Sequence, residues 1–204
     1  MKEKRKMEMG KKRYFKLIDS INYGMIIMGI GRKQYSYVFG ESIWQRTWLL
    51  TLYFMDKTGF YDEYEEITEE QAYEVIKETD VLYHKLETIC ENMLKKVNGL
   101  IPETQTKDLE IRIIYLLYCV SKIVKINTKE LREKGFTNRM IETLQVVIEN
   151  GKMENDQQME NIIDDTLAML VKSEDIYQNG QKTERDRIII EERIEYEDMV
   201  QDET

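Results

Sequence analysis

Apolar positions change their spacing near residue 68. Before that point, "YFKLI" (14–18), "YGMIIMGI" (23–30), "QYSYVF" (34–39) and "WLLTLYFM" (48–55) are short runs rich in β-branched and aromatic residues. Asp19-Ser20, Asn22 and the Gly29–Lys33 stretch supply turns between them. Such runs predict strands joined by tight turns. From Thr68 onward the period lengthens. Ala72, Val75, Ile76, Leu82, Leu86, Ile89, Met93 and Val97 recur at helical spacing and predict one long helix. Thr68 and Gln71 can form its capping box, Asn98-Gly99 its end and Pro102 a hard stop. Ile113, Leu116, Leu117, Val120, Ile123 and Val124 give a second helix, over 106–126, a wide apolar face, so it is expected to be central.

Capping residues mark the next elements. Asn127 and Glu130 open a short helix that Gly135 ends. Thr137 caps a helix with Met140, Ile141, Leu144, Val147 and Ile148 on one face, ending at Gly151. Residues 156–178 repeat the pattern up to Gly180, and the last segment is amphipathic and then acidic. The expected fold is α+β. A basic tail (1–13) precedes a small β-rich N-terminal unit (14–67). A mostly helical domain (68–180) follows, then a C-terminal helix and acidic tail (181–204).

Composition narrows the function classes. The chain carries 39 acidic against 30 basic residues, for a formal charge of -9. That argues against a basic nucleic-acid-binding surface, except through the tail with Lys2, Lys4, Arg5, Lys6, Lys11, Lys12 and Arg13. No apolar run is long enough for a membrane span, and no apolar segment after the tail suits a signal peptide. The cysteines, Cys90 and Cys119, lie in apolar helical patterns without metal-binding spacing, as reduced thiols of a cytoplasmic protein would. "GMIIMGIG" lacks the spacing and the Gly-Lys-Ser/Thr of a phosphate loop, so a hairpin turn is expected there. Trp44 and Trp48 are expected as core or interface anchors. Residues 56–71 concentrate acids without a calcium-loop pattern, and read as a solvated surface. Tyr61, Asp62, Glu63, Tyr64, Glu65 and Glu66 also suit a surface for a basic protein partner.

Motif order in the helical half resembles the HD phosphohydrolase superfamily, in particular its small guanosine tetraphosphate hydrolase-like members. "LLYCV" (116–120) stands where that family has Leu-Leu-His-Asp-Val. "SKIV" (121–124) stands over its Glu-Asp pair. "NTKELREKGF" (127–136) matches the following cap, short helix and Gly-Phe, and "TNRMIETLQVV" the helix after it. "TLAMLVKSEDIYQN" (166–179) resembles the late motif, with Asp175 on its aspartate and Asn179 on its asparagine. The resemblance covers about 110–179 and does not extend to residues 1–67.

The family holds one or two divalent metals with His and Asp residues, and the metal activates water against a phosphate ester. Here Tyr118 and Cys119 replace the His-Asp pair, and Lys122 and Ile123 replace the Glu-Asp pair. Of the expected ligands only Asp175 remains. The chain's one histidine, His84, cannot build a multi-His site and is expected to be structural, though it could in principle face the old pocket as a base for Cys119. Tyr118 and Ile123 are expected to fill the pocket, and Asp175 to pair with Lys122 or Tyr118. Tyr118, Cys119, Lys122, Asp175 and Asn179 thus form a remnant pocket with no catalytic residue, metal or cofactor. The resemblance implies a pseudoenzyme: a regulatory or protein-binding protein, such as an inhibitor or immunity-type protein. The alternatives are a divergent metal-dependent nucleotide phosphohydrolase and a nucleotide-binding sensor without hydrolysis.

Overall fold

The computed structural model of the protein describes residues 11–19, 22–55, 63–104, 106–150, 166–179 and 188–194. Its elements run β1 (Lys12–Leu17), β2 (Ile26–Ile30), β3 (Lys33–Val38), β4 (Ile43–Arg46), α1 (Leu49–Met55), β5 (Tyr64–Ile67) and α2 (Glu69–Lys96). Then come α3 (Leu109–Ser121), α4 (Thr128–Glu133), α5 (Asn138–Asn150) and α6 (Thr166–Asn179), with a last helical stretch at 188–194. The architecture is α+β, a small antiparallel sheet followed by helices. The chain divides into two compact units. One comprises the described residues up to Val38 and Ser42–Thr79; the other comprises Phe39–Glu41 and the described residues from Asp80 onward. The division falls within α2.

The first unit is a five-stranded sheet in the order β4-β3-β2-β1-β5. β1 to β4 form a meander, and β5 returns to β1 with Leu17 opposite Tyr64 and Tyr14 opposite Ile67. The β2–β3 turn is Gly31-Arg32, with Gly31 at a φ of 60° that a side chain would disfavour. Gly29 lies in β2 beside Arg13 and the Phe15 ring, so this glycine-rich stretch is a hairpin. Phe15, Leu17 and Ile27 pack with Leu50 and Tyr53 of α1 into one core.

Two expectations fail in this unit. "WLLTLYFM" forms a helix rather than a strand. Thr47 Oγ accepts the Leu49 N–H at 3.2 Å, and the Thr51 N–H reaches the Trp48 carbonyl at 2.9 Å. Leu50 and Tyr53, three apart, are buried, whereas strand alternation would bury Phe54, which is 42% exposed. The strand before it, Ile43–Arg46, carries Trp44, while Trp48 lies exposed under the Arg46 guanidinium. Trp48, expected as a core or interface anchor, is therefore outside the core. The basic tail is also shorter than expected. Lys12 and Arg13 belong to β1, and Arg13 makes a bidentate pair with Glu66 at 2.8 and 2.6 Å. Residues 1–10 lie outside the described residues.

In the second unit the expected caps of α4 and α5 form, and α3 has a further one. Asp108 caps α3 through the Glu110 and Ile111 N–H groups, at 2.8 and 3.3 Å. Asn127 caps α4 through the Lys129 N–H at 3.0 Å, and Thr137 caps α5 through the Met140 N–H at 3.2 Å. α2, which the two units share, opens on its capping box: the Thr68 N–H donates to Gln71 Oε1 at 2.9 Å and the Gln71 N–H to Thr68 Oγ at 3.2 Å. It ends with the Gly99 N–H on the Leu94 carbonyl. α3 is shorter than the expected 106–126, ending at Ser121 with Lys122 as its cap. It is nevertheless central. Ile113, Leu116, Leu117 and Val120 are buried among Leu86 and Leu94 of α2, Leu144 and Val147 of α5, and Val171 of α6.

Candidate functional site

The central position of α3 sets the candidate site. Tyr115, Tyr118, Cys119 and Lys122 lie three or four apart, so they share one side of α3 and its cap. Lys172 and Asp175 share one side of α6 in the same way. The two helices pack together. Lys122 Nζ meets Asp175 Oδ1 at 2.5 Å, and Lys172 Nζ meets Asp175 Oδ2 at 3.2 Å. Each carboxylate oxygen thus receives its own ammonium donor, which gives strong charge-assisted bonds. Both cations also face the Tyr118 ring, at 4.4 and 5.7 Å from its centroid. Tyr118 meets the lysines with its ring.

Burial would raise the Asp175 carboxyl, but the Lys122 hydrogen bond and the charges of both lysines outweigh it and hold it below the usual carboxylate range. It stays ionised, with its oxygens engaged by lysine. Burial pushes the Cys119 thiol up, against a hydrogen bond from Tyr115 and the charge of Lys122 that pull the other way. A thiol held neutral in this manner is a poor nucleophile. Cys90 is likewise buried and raised by burial, beside the Ile113 carbonyl.

One sequence expectation is corrected here. Ile123 does not fill the pocket: it lies past the end of α3 and is 52% exposed. The alternative held open for His84, a base for Cys119, is not met. Its side chain is exposed on α2 between Asp80 and Glu87, at 3.8 and 3.7 Å. The described acids of the acidic stretch are exposed, as expected of a solvated surface, though some of its residues have partners. Tyr64 packs its ring on Phe15, Tyr53 and Phe54, and Glu66 is held by Arg13. Glu63 and Glu65 are exposed, while Tyr61 and Asp62 lie outside the described residues. Asn179 closes α6, and its side chain lies outside them too.

Sequence reasoning missed the other half of the polar network. Lys172, Ser173, Glu174 and Asp175 are four consecutive buried polar residues. Glu174 is fully buried and pairs with Arg193 of the 188–194 stretch at 3.1 Å. Arg193 also donates to Ser173 Oγ at 2.7 Å and lies over the Tyr177 ring. The available signal was an acid pair, Glu174-Asp175, inside an otherwise apolar helix, with a lone Arg after "RIIIEE". Buried acids need cationic partners.

Among the described residues, no group of three or more His, Cys, Asp or Glu side chains converges as a metal site would require. No helix among them is long and apolar enough to cross a membrane. Comparison with protein families, with curated proteins and with solved structures finds no match.

Proposed function

We propose that the protein is a non-catalytic regulatory or inhibitory protein that acts by contact with another protein, its helical half built on a degenerate HD-like frame. The observation that carries this reading is the state of Asp175. It is the one carboxylate that the family resemblance leaves in the ligand set, and both of its oxygens are engaged by lysine. A divalent cation there would have to displace two ammonium groups and approach them closely. Tyr118 occupies the expected His position with a ring that serves those same cations. The site is organised around its own ion cluster, as a structural element of a binding protein would be. The exposed acids Glu63 and Glu65 on and beside the edge strand β5 supply a surface for a basic partner. Two reduced thiols suit a cytoplasmic setting.

The test is metal content and hydrolysis. Protein purified without chelators, then dialysed against manganese, zinc or iron, is expected to retain less than stoichiometric metal. It is expected to leave nucleotide phosphoesters intact. Stoichiometric metal that disappears in Asp175→Ala, together with phosphohydrolase activity, would establish the divergent enzyme instead.

A further inference from the structure

The α2 and α3 C-terminal ends meet at one place. A Cβ on Gly99 would lie 3.2 Å from Ile123 Cδ1, so the turn after α2 rests against the turn after α3. Leu100, next to Gly99, is 92% exposed, and Ile123 and Val124 are exposed beside it. Leucine projecting that far into water gains nothing for the fold, since burial is what stabilises an apolar side chain. The same end carries Lys95 and Lys96 on the last turn of α2, and Lys122 and Lys125 past α3; Lys95 pairs with Glu91 at 3.9 Å and Lys122 with Asp175, which leaves Lys96 and Lys125. Lys96 and Lys125 are exposed and form no ion pair among the described residues. Lysines at helix C-termini complement the helix dipole. That role does not explain an apolar knob in their midst. A cationic apolar tip is also the reverse of the chain's overall charge of -9.

We infer that this tip, with Leu100, Ile123 and Val124 exposed and Lys96 and Lys125 on the same two helix ends, docks the acidic amphipathic helix of a partner protein. Charge complementarity selects this occupant: the partner's apolar stripe covers the knob, and its flanking Glu or Asp residues reach the unpaired lysines. An anionic bilayer fits less well, because recruitment to one takes a cluster of about four to eight lysines or arginines, and two unpaired lysines fall short of that. A second copy of the chain would bring like-charged tips together in a two-fold contact. The inference does not depend on the HD-like reading of the site.

A designed amphipathic helical peptide with Leu on one face and Glu flanking it tests the proposal, against a twin with Gln in place of Glu. Fluorescence anisotropy is expected to show binding of the Glu peptide to the full chain and at least ~10-fold weaker binding of the Gln twin. Leu100→Ser and the double variant Lys96→Gln/Lys125→Gln are each expected to weaken binding ~10-fold. Lys77→Gln, an exposed lysine on α2, is expected to leave it unchanged. These exposed sites do not threaten folding, which circular dichroism checks. Equal binding of both peptides, or binding indifferent to Leu100→Ser, overturns the proposal. So does preferential binding to phosphatidylserine vesicles, or a dimer in sedimentation that Leu100→Ser dissolves.

Discussion

Asp175 shows how one side chain can be costly to remove without being a catalyst. Its partners differ in burial: the Lys172 side chain is 8% exposed and that of Lys122 is 42% exposed. Asp175→Asn would leave a buried ammonium with no anion, and breaking a buried pair costs about 3–5 kcal/mol. Lys122→Met removes a half-exposed partner while Lys172 still neutralises the acid. Its expected cost is about 1 kcal/mol, near the upper range of exposed pairs. Urea denaturation of the two variants should therefore rank them Asp175→Asn well below Lys122→Met. Equal losses would mean that Lys172 is not the principal partner. Because the carboxyl is held low, its contribution is present above its unfolded pKa and lost as pH falls through the folded one. The difference between Asp175→Asn and wild type should accordingly shrink in acid.

Helix α3 carries the opposite titration at its other end. Asp108 is half-buried at the cap, and its desolvation together with the Glu110 charge pushes its carboxyl up to about 7, against the pull of the Ile111 and Glu110 N–H groups and Arg139. Arg139 also lies 3.6 Å from Glu110. A carboxyl raised in the folded state binds its proton more tightly there than in the unfolded chain. Its stabilising contribution is full below the unfolded value of 3.8 and is lost as pH rises through about 7. Asparagine caps a helix as well as aspartate does but does not titrate. Asp108→Asn is thus expected to keep α3 and to flatten the fall in stability between those values, read from denaturation midpoints across pH. An unchanged pH profile would place the titration elsewhere. Caps of this kind were also what made the helical elements legible in sequence: Thr68, Asn127, Thr137 and Gly99 act locally, through bonds within a few residues. The Asp175–Lys122 contact was legible because the motif order put both residues at one pocket. The α1 helix was not, since an apolar run such as "LLTLYFM" carries no period of its own and Thr47 decides it by one hydrogen bond. Glu174 and Arg193 escaped because nothing local joins residues 19 apart.

Among the described residues, the sheet unit and the helical unit have main cores of different make. Phe15, Leu17, Ile27, Leu50 and Tyr53 hold the sheet and α1, while Leu86, Ile113, Leu117, Leu144 and Val171 hold the helices. The chain's two tryptophans, Trp44 and Trp48, both belong to the sheet unit, so indole fluorescence is weighted to that unit. Helical circular dichroism is weighted to the other, which contains α3 to α6. Ile27→Ala and Leu117→Ala each delete a fully buried side chain, at an expected cost of about 2–5 kcal/mol. If each unit draws its stability from its own core, Ile27→Ala lowers the fluorescence midpoint by several degrees more than the ellipticity midpoint. Leu117→Ala does the reverse. Coincident midpoints for both probes in both variants would show instead that the units unfold as one cooperative body, with α2, common to both, as the element that couples them.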